Sequence, residues 1–160
     1  MYQMVQAFLK QKKKPAGGGE GVVHFLHEVA SERDAGKFTP AQMIQSVRRG
    51  LPMDEIQALS DSLAIPLDAL APKLGMSRAT LHRRKREGRL SAGESDRVLR
   101  FARLMGRAIA VFGGDANARQ WLQSPQSGLG GAAPLTYAET EVGAREVEDL
   151  LGRIEYGVYS

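Results

Sequence analysis

The sequence predicts an all-α protein: a helix-turn-helix helical bundle followed by a small second helical domain. Three features predict it. Apolar residues recur every three or four positions, the period of an amphipathic helix. The segments that carry them open on Ser, Thr or Pro and close on Gly, residues that favour helix starts and stops. No segment sustains the period-two alternation of a half-buried strand. With 160 residues, 42 % of them hydrophobic, the chain suffices for one domain with a modest core or two small domains sharing one.

Residues 1–20 read as a flexible N-terminal tail. A short amphipathic stretch, 2–9, runs into Lys12-Lys13-Lys14-Pro15 and then Gly17-Gly18-Gly19. A like-charge run beside glycines opposes packing. Helical spacing of Val22, Phe25, Leu26 and Val29 predicts a helix over 22–35. Thr39 is placed to cap the next helix, with Pro40 at its first position. Met43, Ile44 and Val47 form its expected buried stripe, and Gly50 ends it. Ile56, Leu59 and Leu63 define a helix from about 53 to 63. Pro66 opens a short one over 67–74, closed by Gly75. Ser77 caps a helix that runs to about 87, where Gly88 stops it. Ser91 and Glu94 form a capping box ahead of the longest helix, which reaches about 112 and breaks at Gly113-Gly114. Beyond it come a helix over 116–122 anchored by Trp121, a glycine-rich loop over 125–134, a helical turn at 135–139 and a last helix over 143–156.

The strongest local motif is the run from Leu70 to Leu81. Ala71 is small where a second helix must cross closely, and Gly75 permits the positive φ of a tight turn. Leu70, Leu74, Met76 and Leu81 are spaced to fill the wedge between the two helices. This places a helix-turn-helix at 67–87. Its second helix presents Ser77, Arg78, Ala79, Thr80, His82, Arg83, Arg84, Lys85 and Arg86, the expected DNA-binding residues. A recognition helix puts its N-terminal residues against base edges, which favours Ser77, Arg78, Ala79, His82 and Arg83. Arg84, Lys85, Arg86 and Arg89 are then suited to phosphates. A helical hairpin with a solvated basic face would give the same pattern. Pro72 removes a backbone donor, so the first helix is expected to be kinked or 3₁₀-like. Arg84 stands where such motifs usually carry an apolar residue, so loose packing is expected at the far end.

On the long helix, Val98, Ala102, Met105, Ile109 and Phe112 form an apolar seam, suited to core or to a dimer interface. Arg97, Arg100, Arg103 and Arg107 form a separate basic stripe. Two-fold operators are read by dimers, which predicts a homodimer and makes 21–112 a DNA-binding and dimerisation region.

Charge is unevenly placed. The net charge is +4, yet residues 78–107 hold ten Lys/Arg against three Asp/Glu, while 139–160 hold six acidic residues against Arg145 and Arg153. A basic middle suits a polyanion, and an acidic end suggests a different partner, unless both are simply solvated faces. There is no cysteine, so no disulfide framework and no thiolate metal site. No apolar run reaches the roughly 18–20 residues of a membrane span, and Lys12–Lys14 follow the first apolar residues instead of preceding them as in a signal peptide. A cytoplasmic protein without membrane association is expected.

The C-terminal third carries a resemblance. Trp121-Leu122, Pro125, Leu129-Gly130-Gly131, Pro134-Leu135, Thr140, Gly143 and the closing Val147, Leu150-Leu151, Arg153-Ile154-Glu155-Tyr156-Gly157-Val158-Tyr159 stand in an order that resembles the toxin-binding domain of Xre/MbcA/ParS-type antitoxins. Upstream, Thr80 to Arg84 and Ser91 with Glu94 to Arg97 resemble that family's Xre-like half. The likeness covers residues 53–160, and Gln126 departs from it where asparagine is more usual. It implies a type II toxin–antitoxin pair. An Xre/Cro-like helix-turn-helix would be followed by a toxin-binding domain at 113–160, the partner would be a RES-domain toxin that consumes NAD⁺, and the complex would repress its own operon. On that reading Arg153, Tyr156, Gly157, Val158, Tyr159 and Ser160 bind the toxin, since tyrosines bring large contact area at low entropic cost. The other reading has Tyr156 and Tyr159 packing on the protein's own core.

Catalysis finds little support in the sequence. His24, His27 and Glu28 do not make the zinc-binding His-Glu-x-x-His pattern, and no nucleophile elbow or phosphate loop is present. No catalytic residue, cofactor or metal is therefore expected. The alternative function is a stand-alone helix-turn-helix repressor without a toxin partner.

Overall fold

The computed structural model describes residues 39–157, and within them four of the eight α-helices begin at a side-chain cap, from Thr39, Ser77, Ser91 and Thr140. The expected tail at 1–20, the expected helix at 22–35 and the last three residues, 158–160, lie outside the described residues. The order is α1 (Pro40–Arg49), α2 (Asp54–Leu63), α3 (Leu67–Lys73), α4 (Arg78–Glu87), α5 (Ala92–Phe112), α6 (Asp115–Gln123), one 3₁₀ turn (Ser127–Leu129), α7 (Pro134–Tyr137) and α8 (Glu141–Glu155). The described residues hold no strand. One isolated antiparallel bridge, Pro52 with Arg89, ties the loop after α1 to the loop after α4.

Two helices carry full capping boxes. The Gln42 amide donates to Thr39 Oγ1 at 3.2 Å, and the Thr39 amide to Gln42 Oε1 at 2.7 Å. Glu94 and Ser91 exchange the same pair of bonds at 3.2 and 2.8 Å. Such a cap contributes about 1 kcal/mol. The last helix starts at Glu141, two residues before the sequence reading put it, because Thr140 Oγ1 accepts from the Gly143 amide at 3.1 Å. Around Pro72 the backbone tightens. The Leu74 amide donates to Leu70 and Ala71 carbonyls, and the Gly75 amide to the Pro72 carbonyl at 3.0 Å. These three-residue steps are the 3₁₀-like form, so α3 ends at Lys73.

α5 is the spine, with α1, α2, α6 and α8 packed along it. At 21 residues it spans about 30 Å. Its seam is core: Val98, Ala102 and Met105 are buried, and Ile109 and Phe112 pack against the same cluster. That cluster runs without a break from Ile56, Leu59 and Leu63 through Phe101 and Leu104 to Leu122, Val147 and Leu151. Polar ties cross with it. Arg119 Nε donates to the Ser62 carbonyl at 2.7 Å and Gln123 Nε2 to that of Leu63 at 2.9 Å. Two of the unpaired carbonyls at the end of α2 are thus satisfied from α6.

The expected buried stripe on α1 is not found. No residue of α1 is buried, Met43 and Val47 are half-buried, and Ile44 is 52 % exposed. α1 lies at the edge of the bundle against α5, so only part of its apolar face is covered.

Candidate nucleic-acid interface and C-terminal surface

The helix-turn-helix forms as its residue types require. Leu70, Ala71, Leu74, Met76 and Leu81 are each at most 2 % exposed and fill the wedge between α3 and α4. Burying a leucine so completely stabilises by roughly 1.5–3 kcal/mol. Gly75 turns the chain at φ +71°, where a Cβ would be strained and would sit 3.1 Å from Arg97 Nη1. Arg97 in turn donates to the Leu74 carbonyl at 3.3 Å, steadying the turn from α5.

Ser77 Oγ accepts from the Thr80 amide at 3.1 Å and starts α4. The helix then turns Ser77, Arg78, Ala79, His82, Arg83, Lys85 and Arg86 to solvent on one continuous run, with Arg89 just beyond. Thr80 is half-buried and receives the Ser77 hydroxyl at 2.9 Å. Arg83 makes only a long contact with Glu87, 3.9 Å, too exposed to hold its guanidinium back.

Arg84 departs from the sequence reading. Its Nε donates to both Glu94 oxygens, at 2.8 and 3.2 Å, and its Nη1 to Glu87 at 2.8 Å. The guanidinium is engaged in joining α4 to the first turn of α5, and this ion pair stands where loose packing was expected. Burial pushes the Glu94 carboxyl up, but hydrogen bonds from Arg84 and Ser91 outweigh it and hold the group below the usual carboxylate range. The same carboxylates, Glu94 first, raise the Arg84 guanidinium.

Part of the charge segregation is internal. Arg100 Nε meets Glu141 at 3.0 Å, Arg103 Nε meets Glu148 at 2.6 Å, and Arg107 Nη2 meets Glu155 at 2.5 Å. Glu141, Glu148 and Glu155 recur every seven residues, which keeps them on one face of α8. Arg100, 9 % exposed, also reaches the Glu139 carbonyl and Asp96. The basic stripe of α5 and the acidic face of α8 therefore neutralise each other, where the sequence alone suggested separate partners.

At the C-terminal end, Trp121 stacks obliquely on Phe112 with centroids 5.3 Å apart. Gln126 closes the following loop: its side chain donates to the Trp121 and Ser124 carbonyls, and its backbone pairs with Ala132 and Gly131. Gly130 and Gly131 take positive φ there, and Leu129 is buried. Gly143 is a packing requirement, since a Cβ would lie 1.7 Å from the Tyr137 carbonyl oxygen. Of the residues expected to face a partner, Arg153 is half-buried, Gly157 is exposed, and Tyr156 is 78 % exposed instead of folding back on the core. Val158, Tyr159 and Ser160 lie outside the described residues. Tyr156 and Arg153 edge an open depression of about 550 Å³ that also touches Arg107 and Asp149. No helix among the described residues is long and apolar enough to cross a membrane.

Two family models match the chain. The Antitoxin Xre-like helix-turn-helix domain covers residues 42–103, and the Antitoxin Xre/MbcA/ParS C-terminal toxin-binding domain covers residues 107–157. The first match ends and the second begins within α5, with residues 104–106 between them. Among curated relatives, Antitoxin Xre of Yersinia enterocolitica is 39 % identical over 120 residues, 74 % of this chain and 81 % of the relative. Antitoxin Xre of Photorhabdus laumondii is 44 % identical over 75 residues, 46 % of this chain and 51 % of its own length. That of Pseudomonas putida is 36 % identical over 73 residues, 46 % of each. With a basic, correctly capped recognition helix in the first matched region and a glycine-turned loop and last helix in the second, this chain belongs to the Xre family of antitoxins, a non-catalytic group that joins a DNA-binding helix-turn-helix to a toxin-binding domain.

Proposed function

We propose that the chain neutralises a RES-domain, NAD⁺-consuming toxin encoded beside it and, as a homodimer within the toxin complex, represses their shared operon in the cytoplasm. Residues 21–112 serve DNA binding and dimerisation, and 113–160 serve the toxin. Ser77, Arg78, Ala79, Thr80, His82 and Arg83 meet bases or the groove edge, while Lys85 and Arg86 meet phosphates. Arg153 and the stretch from Tyr156 to Ser160 hold the toxin. The observation that carries this reading is the exposure of Tyr156 on the last turn of a matched toxin-binding domain. A tyrosine held in water is costly to leave uncovered and is a frequent interface anchor.

Co-expression tests it. With the neighbouring toxin induced, the chain should restore growth, and a reporter driven by the operon's promoter should fall silent. Arg78→Ala with Arg83→Ala should lift the repression by roughly 10-fold or more, since each base-reading arginine carries about 1–3 kcal/mol, while growth rescue persists. Loss of rescue in that variant, or repression unaffected by it, contradicts the assignment.

A further inference from the structure

Among the described residues, some cations are held by partners and others are not. Those of α5 are occupied: Arg97 by the Leu74 carbonyl, and Arg100, Arg103 and Arg107 by Glu141, Glu148 and Glu155. Arg78, Lys85 and Arg86 on α4 have no ion pair among the described residues, and neither do two arginines on another element, Arg48 and Arg49. Both of these are exposed in the last turn of α1.

That turn is fixed beside the end of α4. Arg89 Nη1 donates to the Gly50 carbonyl, the Leu90 amide to that of Leu51 at 2.8 Å, and the Met53 amide to that of Gly88 at 3.0 Å. The Leu51 amide reaches Ser95 Oγ at 2.8 Å. Gly50 is packed so closely that a Cβ would lie 2.0 Å from the Leu90 carbonyl oxygen. The chain leaving α1 is thereby stapled to the chain leaving the recognition helix, and Arg49 and Arg48 stand one and two residues before the staple. Arg89, whose guanidinium reaches Gly50, joins them at the junction of α1 with the chain leaving α4, whose last turn carries Lys85 and Arg86.

We propose that Arg48 and Arg49 contact the phosphate backbone of duplex DNA, extending the interface of α4 onto the C-terminal turn of α1. The proposal rests on the DNA-binding reading of α4. Phosphates are the fitting ligand because Arg48, Arg49, Lys85 and Arg86 are exposed cations with no ion pair among the described residues, and because arginine forks match phosphate oxygens. The staple fixes the backbone that carries these side chains before binding, so no ordering of the main chain is needed on contact. Such contacts add affinity and salt dependence without sequence preference.

The experiment measures binding of the full chain to two labelled duplexes, one from the promoter upstream of its own reading frame and one of scrambled sequence, between 50 and 200 mM salt. Each phosphate contact contributes about 0.9 to the slope of log affinity against log salt. Arg48→Gln with Arg49→Gln should weaken both duplexes alike at low salt and cut the loss of affinity across that range by about 12-fold, the effect of two contacts. Arg103→Gln with Arg107→Gln, the same change in charge on the occupied set, should leave the slope unchanged. Equal effects of the two pairs would mean net charge and not contact, and would overturn the proposal. So would an unchanged slope in the Arg48/Arg49 variant, with α4 binding intact, or a loss confined to the promoter duplex. Failure of the unsubstituted chain to bind either duplex would instead overturn the reading of α4 itself, and this extension with it.

Discussion

Glu94 is the residue on which the most local structure converges. It caps α5 at Ser91 and anchors Arg84 from α4. Its carboxyl is lower in the folded chain than the ordinary value of about 4.3. A group lowered on folding contributes stability above the unfolded value and loses it as pH falls through the folded one. Unfolding by urea should therefore need progressively less denaturant below about pH 4.5, and Glu94→Gln should be less stable at neutral pH yet flatter through that acid range. An unchanged acid limb would show that Glu94 does not carry the effect. Gly143 makes a second prediction at this scale. Gly143→Ala puts a methyl within 1.7 Å of the Tyr137 carbonyl, so α8 must shift from α7 and stability should drop by about 2 kcal/mol or more, read as a lower denaturation midpoint. Both residues were visible in the sequence, Glu94 as half of a capping box and Gly143 as part of a resemblance. Their tertiary partners were not, because nothing in a local pattern says that Arg84 and Tyr137 will meet them.

Among the elements, α5 and α8 are matched by charge along their length, and burial separates the strengths of the pairs. Arg100 is buried with three polar partners, whereas Arg103 and Arg107 are more than a third exposed in their side chains. Exposed pairs are worth at most about 1 kcal/mol, and a hydrogen bond to a charged group about 1.5–3. Arg100→Ala should thus lower stability by about 2–3 kcal/mol, and Arg103→Ala or Arg107→Ala by less than about 1, measured by urea unfolding. Equal losses would contradict the ranking. Caps and glycines made the helix boundaries legible, down to Ser77, Gly88 and Ser91. The apolar period tells which face of α1 is oily but not how much of it α5 covers, and so predicts a buried stripe where the structure leaves Ile44 exposed. Likewise the arginines of α5 looked like a polyanion surface until the heptad of carboxylates on α8 was folded against them.

Across the whole molecule, a single core runs beneath both the recognition helix and the C-terminal helix, yet the two exposed features use different residues. Among the described residues, cations without an ion pair stand on α4 and the adjoining turn of α1, and an exposed aromatic stands where α8 ends. One frame with separable surfaces should tolerate losing either surface alone. The sequence made the helix-turn-helix plain because turn glycine, cap and wedge are local. The toxin-binding end was readable through resemblance, since loops and an aromatic finish carry no periodic signal. The most direct measurement of the proposed function is NAD⁺ consumption by the proposed RES-domain toxin, with the full chain and with a chain lacking residues 156–160, each first verified to bind the promoter duplex. The full chain should suppress consumption, and the shortened one should leave it near the rate of toxin alone. Full suppression by the shortened chain would contradict the account.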